Sequence, residues 1–278
     1  MFAMNQPIKQ SPVTLKLIIT NVVVFVFALI YRGLIKDHEW NTPIEHFIGF
    51  SSRFEQVIQY PWTVISAVFF HVRLEHLIYN LLFLFFAGSL FEQLFSGRKL
   101  LMLYLFAGIF GNLTQLLAAV IAPDIFPIGP VFGASGAIMG IFIAIAVYRP
   151  QLPVLIFGMF SLPIYALALF FLIIDLIGIG GNGGTAHMAH LGGSLIGALT
   201  MIRKKGNIGI WNHIPWFSGH GKDVLRNSKT RFKTDEEYNA TKHDAEARTD
   251  AILDKISRSG YESLSREEKE FLFKQGKE

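Results

Sequence analysis

Residues 133–148 read GASGAIMGIFIAIAVY, sixteen residues without a charge, with a serine at 135 and an arginine following at 149. At about 1.5 Å of rise per residue such a helix spans about 24 Å, less than the roughly 30 Å thickness of a hydrocarbon core. The stretch therefore predicts a membrane helix that begins below one surface. Ser135 falls in its first turn, where backbone N–H groups lack intrahelical partners and the helix dipole favours negative charge. Irregular backbone at that depth is tolerated where it lines a polar cavity.

The rest of the chain has the same character. Of its 278 residues 51% are hydrophobic and 26 are phenylalanine, more than a water-soluble core of this size needs. Spanning helices need about 20 mostly apolar residues, and six candidates emerge, at roughly 13–34, 73–95, 100–121, 133–148, 162–179 and 184–202. The fold class is thus an all-α polytopic membrane bundle. Pro153 and Pro163 flank 154–162, which reads as a cytosolic turn or the foot of the fifth helix. The first run, Val13 to Tyr31, is too long for a signal-peptide core and lacks a small-residue cleavage site behind it, so it reads as a retained signal anchor.

Charge divides the chain. Sixteen of the 25 Lys/Arg and 13 of the 21 Asp/Glu lie from Arg203 onward. This places a membrane domain at 1–203, a linker at 204–229 and a water-facing helical tail at 230–278. Lys9, Arg98-Lys99, Arg149 and Arg203-Lys204-Lys205 share one side if both ends of the chain are cytoplasmic, although Arg32, Lys36, Arg53 and Arg73 fall opposite. The long first loop, about 35–72, mixes Trp40, Phe47, Phe50 and Trp62 with charges, which suits a headgroup layer.

Depth links two distant residues. Ser135 lies 14 residues from Arg149 and His190 lies 13 from Arg203, so both sit about 20 Å above the cytosolic ends of their helices. A serine hydroxyl becomes a nucleophile when an imidazole removes its proton, and the pair is expected to meet near the outer face. Gly136 and Gly140 on one helix, and Gly193 and Gly197 on the other, form small-xxx-small faces that let backbones approach. His71, His76 and Asn80 open the second span, and His76 and Asn80 share a helical face at i, i+4. With the Ser135 N–H they are candidate hydrogen-bond donors to an oxyanion. Metal ligation by these histidines is the weaker reading, since the pattern is not His-Glu-x-x-His. No cysteine is present, which excludes disulfides, thiolate metal sites and a cysteine nucleophile. A net charge of +4, concentrated beside the membrane, argues against nucleic acid. A transporter would show repeated halves with broken helices, and no such symmetry is visible.

Taken together these motifs resemble the rhomboid family of intramembrane serine proteases over residues 10–203: Pro61-Trp62, His71…His76…Asn80, Gly133-x-Ser135-Gly136 and Ala189-His190-x-x-Gly193-x-x-x-Gly197. The resemblance implies a six-helix bundle and a Ser135–His190 dyad with no required acid. It further implies oxyanion roles for His76 and Asn80, a structural role for His71, and no cofactor or metal. It also implies a bacterial plasma membrane and substrates that are membrane-spanning segments with helix-destabilising residues near their outer end. His187 lacks the glycines at +3 and +7 and is not the expected base. Asp175, near the outer end of the fifth span, is expected to be structural or interfacial. A silent, non-proteolytic membrane binder or chaperone on the same scaffold is the alternative. In the tail, Thr234-x-x-Glu237 and Ser265-x-x-Glu268 are capping boxes and Gly260 is a helix stop. They predict a helical hairpin, which resembles a tail of some bacterial rhomboids and would either dock on a partner, the membrane or itself, or be a passive tail.

Overall fold

The computed structural model describes residues 12–35, 43–126, 128–156, 160–180, 186–201, 203–204, 207–208 and 249–275. The chain divides into two compact units at 225/226. In the first unit lie α1 (Pro12–Ile35), α2 (Leu74–Leu94), α3 (Gly97–Ile121), α4 (Ser135–Tyr148), α5 (Ile164–Gly178) and α6 (His187–Met201). These six match the six predicted spans, and the molecule is an all-α membrane bundle. Among the described residues α1, α2 and α3 are long and apolar enough to cross a bilayer, while α4 and α5 are shorter apolar helices.

Their burial explains their arrangement. A helix that is apolar on every face belongs at the centre of a bundle, and α4 is buried from Gly136 through Ala146 apart from Met139. It packs against α2, α3, α5 and α6. Around it, α1 and α5 turn large apolar side chains outward, among them Ile19, Val23, Phe27, Leu169, Phe170 and Ile177. Water would not tolerate so continuous an apolar belt, whereas lipid is its natural solvent.

Inside the bundle, polar groups find partners. The Asn21 amide donates to the Tyr104 hydroxyl (3.1 Å) and to the Leu17 carbonyl (2.8 Å), and Tyr104 donates to the Val68 carbonyl (3.2 Å). These bonds tie α1 and α3 to the segment ahead of α2. Glu92, near the end of α2, caps α1. Its carboxylate accepts from the N–H groups of Val13 (3.2 Å) and Thr14 (2.9 Å) and from the Thr14 hydroxyl (2.7 Å). A carboxylate at a helix N-terminus satisfies orphan donors and meets the positive end of the dipole. Glu92→Ala is expected to destabilise the fold by about 2 kcal/mol, read as a lower thermal midpoint in detergent. Glu92→Gln, which keeps one acceptor, is expected to lose less.

Short ladders join the loops. Phe50–Ser51 pairs antiparallel with Pro130–Val131, and beside it the Ser52 N–H donates to the Gly129 carbonyl (3.0 Å) while the Gly129 N–H donates to the Ser52 hydroxyl (2.9 Å). The first loop is thereby fixed to the segment that enters α4. Phe50, read from sequence as an interfacial residue, is instead 1% exposed and packs with Ala67, Val131 and Ala189. Phe47 and Trp62 do face outward, stacked with Tyr60, and the Trp62 indole donates to the Phe47 carbonyl (2.7 Å). Trp40 lies outside the described residues. Pro153–Ile156 pairs antiparallel with Phe160–Pro163, so the two prolines bound a pair of short strands where the sequence suggested a turn or the foot of the fifth helix. The prolines flank the ladder, where a missing N–H costs little.

In the second unit, 249–259 and Arg266–Gln275 are helical and Tyr261–Ser263 forms a single 3₁₀ turn between them. Gly260 has φ of +77° and ends the first helix. Ser265 and Glu268 bond reciprocally, the Ser265 N–H to the carboxylate (2.7 Å) and the Glu268 N–H to the hydroxyl (3.3 Å). That is the capping box read from the sequence. Ile252 and Leu264 are buried, and Lys255 pairs with Glu268 (2.9 Å). The other expected box, Thr234 with Glu237, lies outside the described residues.

Candidate active site

Ser135 is the first residue of α4, and the first bond of that helix runs from the Ile138 N–H to the Ala134 carbonyl (2.9 Å). The N–H groups before it therefore lack intrahelical partners and point toward the loop side. Gly133 makes the turn into the helix with φ of +107°, a conformation that side chains other than glycine rarely adopt. A Cβ there would also strike the His76 ring, 2.8 Å from its Cε1, and approach His71 Nε2 at 3.4 Å. Both histidines thus flank the backbone two residues ahead of Ser135.

Across the bundle, α6 carries His190 so that its Nε2 lies 2.8 Å from Ser135 Oγ. The approach depends on the glycines. Gly193 and Gly197 lie against the backbone of Gly136 and Gly140, where an added Cβ would overlap a carbonyl. His187 does not reach the serine. Its Nδ1 lies 2.8 Å from Asp175 Oδ1, and the Nδ1 of His190 lies 2.7 Å from the same oxygen. Asp175 is 4% exposed. It sits inside the bundle at the site, so of the structural or interfacial role expected from the sequence the interfacial one does not hold. A signal for this was present. Ile164, Ala168 and Asp175 are spaced at +4 and +7, and all three are the buried residues of α5, so the acid continues the inward stripe.

His76 and Asn80 stand on α2 as expected, with the Asn80 amide donating to the His76 carbonyl (2.9 Å). His71 is fully buried, with its ring edge-on to that of His76 at 5.2 Å. Its Nε2 accepts from the Ala134 N–H (3.4 Å) while its Nδ1 faces the Phe69 carbonyl (3.4 Å). Only a neutral ring protonated on Nδ1 satisfies both partners. Burial, aided by the neighbouring His76, holds the His71 imidazole down to about 4. Unfolded, it would titrate near 6.5. Stability from this group is complete above pH 6.5, declines as the pH falls toward 4, and is lost below that. The total is roughly 3 kcal/mol. The difference in thermal midpoint between wild type and His71→Asn is expected to shrink over that window, since asparagine does not titrate.

Asp175, His187 and His190 also form the group among the described residues whose ligand atoms lie close enough to hold a metal. Separations of 2.7 and 2.8 Å are hydrogen-bond distances, whereas nitrogen and oxygen ligands of a tetrahedral zinc at about 2.0–2.1 Å stand about 3.3 Å apart. The geometry is that of two N–H donors on one carboxylate oxygen.

An integral membrane bundle that sets a half-buried serine against a histidine at the head of its central helix defines the class. The rhomboid domain matches residues 59–204, and the chain belongs to the rhomboid family. Residues 233–275 match a second family, of unknown function. RHOMBOID-like protein 12, mitochondrial, of Arabidopsis thaliana is 26% identical over 210 residues, 71% of this chain and 60% of that protein. Rhomboid protease AarA of Providencia stuartii is 28% identical over 206 residues, 68% of this chain and 71% of that protein. Rhomboid protease GluP of Bacillus subtilis is 29% identical over 109 residues, 38% of this chain and 20% of that protein.

Proposed function

We propose that the protein is an intramembrane serine endopeptidase. The observation that carries this is the 2.8 Å approach of Ser135 Oγ to His190 Nε2 at the N-terminus of the buried α4. His190 takes the hydroxyl proton, and the serine oxygen attacks a peptide carbonyl. The oxyanion forms beside the Ser135 N–H, with His76 and Asn80 on the flanking helix as further donors. His190 then protonates the leaving amine, and water releases the acyl group.

The position of the site supports a membrane-embedded substrate. A helical segment keeps its carbonyls in internal hydrogen bonds, so cleavage requires local unwinding. Substrates are membrane-spanning segments with small or helix-breaking residues near the end that enters the site. Arg149 follows α4 and Arg203 lies just past α6, each at the end away from Ser135 and His190, and Arg98 and Lys99 lie in the first turn of α3. Positive charge marks the cytoplasmic side, which supports a site near the outer face of the membrane, such as the plasma membrane of a bacterium. Purified protein in liposomes is expected to cleave a transmembrane reporter, and Ser135→Ala and His190→Ala are each expected to stop it. Wild type that leaves a panel of such reporters intact would favour a silent membrane binder on this scaffold.

A further inference from the structure

We propose that Asp175 completes the site as a positioning carboxylate, making a Ser135–His190–Asp175 chain where the family resemblance implied a pair alone. The inference rests on the serine–histidine reading above. Asp175 Oδ1 lies 2.7 Å from His190 Nδ1, and the opposite nitrogen of the same ring lies 2.8 Å from Ser135 Oγ. The three groups are in line through one imidazole.

The setting of the acid argues for this role. Its neighbours on α5, Ile173, Ile174, Leu176 and Ile177, are 44–78% exposed and apolar, while Asp175 itself is 4% exposed. A carboxylate in a membrane helix is costly and points inward only where partners compensate it. The partners here are the two imidazole N–H groups, from His187 (2.8 Å) and His190 (2.7 Å). An ionised carboxylate accepts hydrogen bonds and donates none. Both histidines must therefore carry a proton on Nδ1, which leaves the lone pair of His190 Nε2 facing the serine. That is the tautomer a general base requires.

The proton balance is simple. The Ser135 proton moves to His190 Nε2 as the oxygen–carbon bond forms, and the resulting imidazolium keeps its Nδ1–H on Asp175. The Nε2 proton then passes to the leaving amine as the peptide C–N bond breaks. Asp175 stays ionised throughout. His187 holds the same carboxylate oxygen from one turn earlier on α6, which limits its rotation away from His190.

Asp175→Asn keeps the shape but removes the charge, and its amide can present an N–H to the ring. In liposomes with a transmembrane reporter, kcat is expected to fall on the order of 100-fold or more, with KM changed less than about threefold. His190 is faced by Ser135 from α4, Asp175 from α5, His187 on its own helix and His76 beside Gly133 on α2. Of these only Asp175 carries a full negative charge. Asp175→Glu, which keeps that charge, should recover much of the lost kcat. Wild-type kcat in Asp175→Asn overturns the proposal. Should that variant fail to fold, ¹⁵N shifts of His190 in the wild type still decide. A neutral ring protonated on Nδ1 supports the proposal, and one protonated on Nε2 overturns it. That readout is independent of cleavage. Activity surviving in Ser135→Ala would instead sink the serine–histidine reading itself.

Discussion

Ser135→Ala is expected to lower cleavage of a transmembrane reporter by about 10⁵-fold or more, and His190→Ala by a comparable factor. The two losses should not add. A hydroxyl without its base and a base without its hydroxyl are equally idle, because the proton transfer across their 2.8 Å contact is one event. The double variant should match either single one. Any residual rate would come from the unpaired N–H groups at the head of α4 and from substrate binding. The measurement is single-turnover cleavage in liposomes. It needs a thermal midpoint for each variant, so that loss of chemistry is separated from loss of fold. Ser135 is at the first position of its helix, and alanine there removes one oxygen without disturbing a helix-interior bond. A Ser135→Ala protein that cleaves at even a hundredth of the wild-type rate would exclude the serine as the attacking group.

Much of this site was legible because a membrane restricts what a sequence can do. Helix rise is constant, so counting from Arg149 and from Arg203 places Ser135 and His190 at one depth from the sequence alone. The glycines beside them signalled that two backbones could close the gap. The role of Asp175 stayed open between structural and interfacial for a definite reason. Depth along a helix can be counted from a charged end, but which way a residue faces depends on packing, and the apolar side chains of α5 give little contrast between its lipid and protein faces. The spacing of Ile164, Ala168 and Asp175 held the answer, with Ala168 the small residue that allows close contact. Glu92 was hidden for a different reason. Its partners at Val13 and Thr14 lie 79 and 78 residues away, and a charge at the end of an apolar run looks like an ordinary membrane boundary. The ladder between Phe50–Ser51 and Pro130–Val131 is two residues long, too short to leave an alternating pattern.

Gly193→Ala is expected to be the most damaging single methyl in the bundle. A Cβ at 193 would lie 2.8 Å from the carbonyl carbon of Gly136 and closer still to its oxygen, where apolar contacts settle near 3.5–4.0 Å. Neither atom can rotate away, because both belong to helix backbone. The helices would have to part by about 1 Å, one turn below His190 and one residue beyond Ser135. A shift of that size breaks a 2.8 Å hydrogen bond, and misplacement by 1 Å can cost about 100-fold in rate. Overpacking itself costs about 1–3 kcal/mol. Gly197→Ala meets the same obstacle at Gly140, but two turns from the base, so it should lose similar stability and less activity. Gly33, near the end of α1, has open space where its Cβ would go. Gly33→Ala should leave both properties unchanged, or gain slightly from alanine's higher helix propensity. Thermal midpoints and cleavage rates for the three variants test the seam. If Gly193→Ala matched Gly33→Ala in both, close backbone contact between α4 and α6 could not be what holds the serine against the histidine.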